Sequence, residues 1–205
     1  ERTKNTKFIV EKPFTNKRND LRKFLNSTNQ EDLERIRIGF PRRTLPSSTE
    51  IRKVIESWPR DRKVNLTLQF SGGFGNIASH FIDLLEFWFG DMEIGRISQD
   101  REILIRGVTW PNLKLNIQQQ GKTNLEDAKI ICDEFAYTRS GRRIEIYREV
   151  GKEVEIFENE IEEMLLFESR DYLNWAMHEK ESLLTRLTSC ALDISISLED
   201  AFNNV

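Results

Sequence analysis

Apolar and polar residues alternate along several short segments of the chain. The clearest is 64–70, in which every second residue is apolar, and a similar alternation covers 34–40. A period of two predicts strands that bury one face and expose the other. A shorter apolar run at 7–10, which stops just before Pro13, also predicts a strand.

Other segments have the spacing of helices. The apolar stretch 76–89 ends at Gly90, a residue type that commonly terminates helices. Short helices are expected over 21–25 and 51–58, and a longer one over 160–177. The final helix is expected from Glu181 to Phe202, because apolar residues recur there every three or four positions: Leu184, Leu187, Ala191, Ile194, Leu198 and Phe202.

The segment 92–157 is a succession of apolar-rich stretches joined by short turns. Successive strands with short connections favour antiparallel pairing. The whole pattern predicts an α+β fold: an open, mainly antiparallel sheet with helices packed on one face.

The composition excludes several classes of protein. The chain has 205 residues, of which 38% are hydrophobic and 32% charged, so it can bury a core and is not a disordered polymer. A net charge of −3 argues against binding nucleic acid through a basic surface. No apolar run reaches the roughly 18 residues of a membrane span.

Few residues could bind a metal or move a proton near neutral pH. The chain has two cysteines, Cys132 and Cys190, and two histidines, His80 and His178. The cysteines form no disulfide framework and no zinc set, so we expect reduced thiols, a cytoplasmic protein and no metal site. Acid–base chemistry would depend on a histidine or on a Lys, Asp or Glu with a shifted pKa.

A glycine-rich turn connects the strand 64–70 to the following helix. Gly73, Gly75 and Ala78 fit the spacing of a dinucleotide-binding fingerprint. The strand before it carries polar residues at every second position, whereas a first Rossmann strand is buried on both faces. A complete small Rossmann protein, which would bind NAD by itself, is therefore the less favoured alternative.

The helix itself offers a second interpretation. Asn76, His80 and Asp83 are separated by four and three residues, so they share one helix face. A histidine beside a polar side chain near a glycine turn is suited to proton transfer, although a satisfied, partly buried histidine would give the same pattern. Lys12 follows the first strand, where it could reach a substrate or simply lie in a surface turn.

These motifs together resemble the Gfo/Idh/MocA oxidoreductases, which are named for glucose–fructose oxidoreductase and inositol dehydrogenase. The segment Glu11-Lys12-Pro13 resembles the family's EKP motif. The stretch from Gly72 through His80 to Asp83 resembles its glycine-pair and histidine helix. Arg42 and Arg43 are similar to an arginine-containing segment at the domain junction. The resemblance extends to the closing helix, and so over nearly the whole chain.

The resemblance implies the architecture and the roles of the residues. Residues 1–45 would be the end of a Rossmann domain and the junction, and 46–205 the substrate-binding and oligomerisation domain. His80 would be the acid–base residue, Lys12 would orient the substrate, and Asn76 would complete the catalytic set. Arg42, Arg43 and Asp83 would contact the substrate, and Glu11, Lys12 and Pro13 would lie beside NAD or NADP.

The resemblance also implies partners. The substrate would be a sugar or nucleotide sugar, and the aromatic-rich 86–90 resembles members that act in polysaccharide biosynthesis. We expect a homodimer or homotetramer that associates through the sheet face, with no nucleic acid and no membrane as partner.

Two departures from the family pattern affect the expected activity. Asn76 stands where the family has an aspartate, and an amide cannot act as a base. Only 11 residues precede Lys12, so we expect the chain to be part of a longer enzyme and to be inactive in isolation. The alternative is a non-catalytic sheet module for protein assembly that has lost oxidoreductase activity.

Overall fold

A large sheet forms the centre of the molecule. The computed structural model describes residues 6–12, 14–15, 17–97, 103–120, 128–132, 135–140, 143–148, 153–157, 160–178 and 181–203. The eight strands of this sheet are β3 (Val64–Phe70), β4 (Met92–Ile97), β5 (Ile103–Gly107), β6 (Leu113–Gln119), β7 (Ala128–Ile131), β8 (Phe135–Ser140), β9 (Arg143–Arg148) and β10 (Glu153–Phe157).

The strand order is β10-β9-β8-β7-β3-β6-β5-β4. Six of its neighbouring pairs are antiparallel, and β3 and β6 form the one parallel pair of this described sheet. The predicted open, mainly antiparallel sheet is therefore confirmed. The same order excludes the Rossmann alternative, because β3 lies beside the antiparallel β7 and not in a parallel βαβ sheet.

Alternation along each strand decides which face is buried. In β3 the apolar positions 64, 66, 68 and 70 are buried, whereas 65, 67 and 69 are exposed or half-buried. The buried face packs against helices α3 (Pro46–Glu56), α4 (Ser79–Phe89) and α6 (Cys190–Asn203), whose apolar residues join the same core. The opposite face of the sheet carries the alternate, more polar side chains.

A second, smaller sheet brings the two ends of the chain together. It contains β1 (Phe8–Val10), β2 (Ile36–Ile38) and β11 (Thr185–Arg186), with β2 in the middle. Helices α1 (Arg18–Ser27) and α2 (Gln30–Glu34) precede β2. A separate apolar cluster here contains Leu21, Leu33, Ile38, Phe40, Leu187, Leu192 and Ile196.

Helix α5 (Glu160–His178) connects the two sheets. Its Glu160 carboxylate accepts bonds from the Ser47 backbone N–H (2.9 Å) and hydroxyl (2.5 Å) at the start of α3. At its other end, the Trp175 carbonyl accepts a bond from Lys7 Nζ at 2.5 Å. No helix in the described part of the chain is both long and apolar enough to span a membrane.

Three predicted helix starts were wrong. The first helix begins at Arg18 and not at Leu21. The third helix begins at Pro46 and not near Ile51, since proline fits the first turn of a helix. The closing helix begins at Cys190 and not at Glu181, because Thr185 and Arg186 pair with β2 as a strand. Leu184 and Leu187 therefore flank a strand, although their spacing is helical.

Candidate active site

Two of the predicted catalytic residues meet directly. Lys12, just after β1, donates from its Nζ to the backbone carbonyl of Asn76 at 2.6 Å and to Asn76 Oδ1 at 3.1 Å. The residues are 64 positions apart in the sequence. Because an amide is neutral, Asn76 orients the ammonium group without neutralising its charge.

The turn that carries Asn76 depends on Gly72. Its φ is +109°, and a Cβ there would lie 2.8 Å from Ile77 Cγ1, so both backbone and packing require glycine. The Gly72 carbonyl is held by Gln119 Nε2 of β6 at 2.5 Å. At Gly73, by contrast, a Cβ would have no atom within 4 Å. The chain surface beside Gly73 is therefore open enough for a ligand to approach.

The helix then starts with a wide turn. The N–H groups of Ile77 and Ala78 both bond to the Gly73 carbonyl, at 2.9 and 3.3 Å. This π-helical turn covers Phe74–Ala78, and the regular helix α4 follows from Ser79. Single π turns are frequent at functional sites, and this one places His80 at the start of α4.

His80 lies among positive charges. Its ring packs edge-on against Phe40, with 5.5 Å between ring centroids, and its Nδ1 is buried with no hydrogen-bond partner among the described residues. Burial lowers the pKa of His80 well below 6.5, and the charges of Arg42, Lys12 and Arg139 lower it further. The imidazole is therefore neutral at pH 7, the form that accepts a proton.

Arg42 is the one predicted substrate-binding residue that lies beside His80. It belongs to the 3₁₀ turn Pro41–Thr44, is only 2% exposed, and stacks over the Phe81 ring at 4.7 Å. Its charge disfavours protonation of His80, and its small exposed surface leaves little room for direct contact with a substrate.

Arg139 and Tyr137 were not predicted from the sequence. Both lie on the buried face of β8, at 6% and 0% exposure. The Tyr137 hydroxyl has no hydrogen-bond partner among the described residues, and burial raises its pKa to about 12. An arginine at an inward position of an alternating strand was the available signal, because charged residues are rarely buried there without a role.

Arg43 and Asp83, which were predicted to contact substrate, bind each other. Arg43 Nε and NH2 donate to the two Asp83 oxygens at 2.8 and 2.7 Å, and the Thr185 hydroxyl donates to Asp83 at 2.6 Å. Asp83 is fully buried, and this burial raises its pKa to about 6 against the opposing effect of Arg43. The pair connects α4 to the 3₁₀ turn and to β11.

The predicted cofactor-binding residues are only partly described. Glu11 is exposed, and its carboxylate oxygens lie 3.3 Å from the position that a Cβ on Gly39 would take. Pro13 lies outside the described residues. No contact of the structure tests their role toward a cofactor, which stays a prediction.

Glu86, Asp91 and Cys190 are close enough to resemble a metal-ligand set. The Glu86 carboxylate, however, already accepts bonds from Arg43, from the Ser189 hydroxyl and from the N–H groups of Cys190 and Ala191. Glu86 thus caps the N-terminus of α6, which is a structural role.

Comparison with known proteins finds relatives by structure alone. No protein-family model and no curated protein matches the sequence. UDP-N-acetylglucosamine 3-dehydrogenase GnnA from Acidithiobacillus ferrooxidans superposes with a TM-score of 0.57 at 14% identity, over 94% of this chain and 68% of the other.

Two further solved structures are similar. The 3-ketoreductase KijD10 from Actinomadura kijaniata, in complex with NADP, gives a TM-score of 0.55 at 13% identity over 95% of this chain and 68% of that one. A super-repressor mutant of Gal80p from Saccharomyces cerevisiae gives a TM-score of 0.63 at 12% identity, over 97% of this chain and 70% of that one. At these identities the likeness establishes the fold.

Proposed function

We propose that this chain, which has the fold of the Gfo/Idh/MocA oxidoreductases, is the substrate-binding and oligomerisation part of an NAD(P)-dependent enzyme. The substrate is a sugar or nucleotide sugar that is oxidised at a hydroxyl or reduced at a carbonyl. The observation that carries the proposal is the contact of Lys12 with Asn76 beside a neutral His80, three residues assembled from two distant motifs.

Each of the three residues has a distinct task. The cofactor, when bound, supplies the acceptor or donor of hydride. His80 accepts the hydroxyl proton at Nε2, since Nδ1 is buried. Lys12 donates a hydrogen bond to the reacting oxygen, and Asn76 positions the Lys12 ammonium. The open surface beside Gly73 leaves room for substrate and cofactor to meet at this point.

The proposal assigns roles to the two parts of the chain. Residues 1–45 complete a nucleotide-binding domain, with Glu11, Lys12 and Pro13 beside the cofactor, and 46–205 bind the substrate. The positive charge of Arg42 disfavours protonation of His80, whereas Arg43 and Asp83 join the 3₁₀ turn to α4 and β11. The chain without a complete nucleotide-binding domain is expected to show no turnover.

The test is turnover by the full-length protein. Sugars and nucleotide sugars are offered with NAD+ or NADP+, and reduced cofactor is followed by its absorbance. His80→Gln should lower kcat about 10²–10⁴-fold, the usual contribution of a general base. His178→Gln, at the exposed end of α5, is the matched control and should have no effect. Undiminished turnover in the His80 variant would refute the proposed role.

A second candidate is a non-catalytic assembly module. Asn76 favours it, because the amide takes the place of the family's acidic residue, and one structural neighbour is named as a repressor. This candidate predicts no turnover of any sugar, together with stable association with another protein that survives the His80→Gln change.

A further inference from the structure

The inward face of α5 carries a buried glutamate near the middle of the helix. Glu168 is 8% exposed, and its Oε1 is enclosed with no hydrogen-bond partner among the described residues. Burial raises the pKa of Glu168, and the negative charges of Glu11 and Asp171 raise it further. A buried carboxylate costs folding free energy unless donors or a positive charge satisfy it. Its presence here therefore needs an explanation other than packing.

The packing of α5 against β1 shows where Glu168 lies. The Tyr172 hydroxyl donates to the Lys7 carbonyl at 3.2 Å, and Lys7 Nζ donates to the Trp175 carbonyl. These residues of α5 therefore lie beside the start of β1. Glu168 is about one to two helical turns closer to the N-terminus of α5, and its carboxylate interacts with that of Glu11, which follows β1. The helix is thus antiparallel to β1, and Glu168 lies level with the end of that strand.

The end of β1 adjoins the end of β2. The two strands are parallel, and the Gly39 N–H just after β2 donates to the Val10 carbonyl at 2.9 Å. The Glu11 carboxylate lies over Gly39, where a Cβ would come within 3.3 Å of both carboxylate oxygens. Ligands of parallel sheets bind in the crevice outside the carboxyl ends of the strands. Glu11 and Glu168 therefore lie where such a ligand would bind.

This crevice adjoins the candidate active site. Lys12, the residue after Glu11, donates to Asn76. Phe40, two residues beyond the end of β2, packs against His80. The neighbouring side chains of Glu11 and Lys12 therefore face different groups: Glu11 faces the strand ends of the small sheet, and Lys12 faces the turn that carries Asn76.

The two carboxylates fit a particular part of a cofactor. Negative charges attract a positively charged ligand and disfavour a negative one. The nicotinamide ring is positively charged when oxidised and neutral when reduced, so a nearby protein charge distinguishes the two forms. The ring also carries an amide, whose N–H groups can donate to a carboxylate. The unsatisfied carboxylate of Glu168 is therefore compatible with a nicotinamide cofactor.

We propose that Glu168 is a further binding residue of the nicotinamide cofactor, and that its carboxylate, together with that of Glu11, favours the oxidised ring over the reduced one. This inference rests on the proposed function, because it adds a residue and a preference to the same site. The sequence motifs did not indicate Glu168, which reaches the strand ends from a helix more than 150 residues away.

The experiment measures binding and not turnover. Isothermal titration calorimetry gives the affinity of the full-length protein for NAD+ and NADH, and for NADP+ and NADPH. Glu168→Gln keeps the size of the side chain and one acceptor but removes the charge. It should weaken binding of the oxidised form about tenfold and that of the reduced form less than about twofold, because only the oxidised ring carries a charge. Glu163→Gln, exposed on the same helix, is the matched control and should change neither affinity.

Urea unfolding of the cofactor-free protein distinguishes binding from a structural role. Glu168→Gln should unfold at the same urea concentration as the wild type or at a higher one, because the variant no longer buries an unsatisfied charge. A lower midpoint, or a variant that does not fold, would show that the fold itself depends on this carboxylate and would overturn the inference.

The binding data can overturn it as well. Equal losses of affinity for the oxidised and reduced forms would contradict the charge preference. Undiminished affinity for the oxidised form would assign Glu168 to another ligand, such as a sugar hydroxyl. Failure of the proposed function appears differently, because the wild type itself would then bind none of the four nucleotides.

Discussion

The properties of His80 come from residues that are distant from it in the sequence. Phe40 packs against its ring, and Lys12, Arg42 and Arg139 surround it with positive charge. None of these contacts follows from the helical spacing that first pointed to this histidine. A histidine in this environment resists protonation, and the stability of the fold therefore depends on pH.

His80 should make the protein sensitive to mild acid. The unfolded chain binds a proton at His80 near pH 6.5, whereas the native imidazole stays neutral to a much lower pH. The unfolded state then carries more protons below pH 6.5, so stability is lost as the pH falls. Between pH 7.5 and 5.5 this single group should remove on the order of 1 kcal/mol of unfolding free energy.

Urea unfolding at the two pH values measures this contribution. His80→Gln should lose less stability over that interval than the wild type, by on the order of 1 kcal/mol. The exposed His178→Gln should follow the wild type. Identical pH dependence of the wild type and the His80 variant would contradict the low pKa of His80.

The two adjacent glycines should respond differently to the same substitution. Gly72→Ala forces an alanine to φ +109° and brings its Cβ to 2.8 Å from Ile77, so a loss of about 1–3 kcal/mol is expected. Gly73→Ala meets no atom within 4 Å and should leave stability unchanged or raise it by up to about 1 kcal/mol. Thermal unfolding of both variants checks this, and equal losses would disprove it.

At the scale of elements, the predictions succeeded where the local pattern and the tertiary contacts agree. Strand β3 was predicted at its exact bounds because its alternation matches a sheet with one buried face. The start of α6 was wrong because tertiary contacts decide it. Glu86 of α4 caps the helix at Cys190, and β2 pairs with Thr185 just before it. Neither contact is visible in the spacing of leucines.

The ion pair of Arg43 and Asp83 should contribute strongly to stability. The pair joins α4 to the 3₁₀ turn, and a hydrogen bond from Thr185 to Asp83 connects it to β11. The Asp83 side chain is 0% exposed. Asp83→Ala removes the bidentate partner of the half-buried Arg43 and leaves Glu86 as its partner at 3.2 Å, so a loss of about 3 kcal/mol is expected, at the lower end for breaking a buried pair.

A surface pair provides the control for this prediction. Arg52 and Glu56 are joined at 2.7 Å, but both side chains are at least 40% exposed. Glu56→Ala should therefore cost at most about 1 kcal/mol. Urea unfolding of both variants at pH 7 measures the two losses of unfolding free energy. A small loss for Asp83→Ala would favour the expectation that Asp83 contacts the substrate.

At the scale of the whole molecule, the sequence predicted the layers of the fold but not all of its topology. The mainly antiparallel sheet with helices on one face was predicted from strand alternation, from the short turns between successive strands and from the helical spacing of other segments. The parallel pairing of β3 with β6, and the small sheet that unites 8–10, 36–38 and 185–186, depend on long-range contacts. For the same reason the sequence pointed to Lys12, Asn76 and His80, whereas for Arg139 it offered only an arginine at an inward strand position and nothing that links this strand to His80.

The polar face of the large sheet should form the contact between subunits. Strands about 4.8 Å apart and about six residues long give eight strands an area of roughly 35–40 Å by 20 Å. This corresponds to about 700–800 Å² per partner, close to the size of a standard stable interface. Thr67 lies half-buried on this face beside Asn116 and Ile131, and Thr138 lies half-buried on it beside Lys129 and Glu145.

Light scattering tests this association. The wild type should be a dimer or tetramer, and Thr67→Arg should convert it to a smaller species, because it places a bulky charge at the middle strand of the interface. The residue points away from the helical core, so the variant should unfold at nearly the same temperature as the wild type. Thr188→Arg, at an exposed position away from the sheet, should leave the mass unchanged. A monomeric wild type at micromolar concentration, or a Thr67→Arg oligomer of unchanged mass, would exclude this face as the contact.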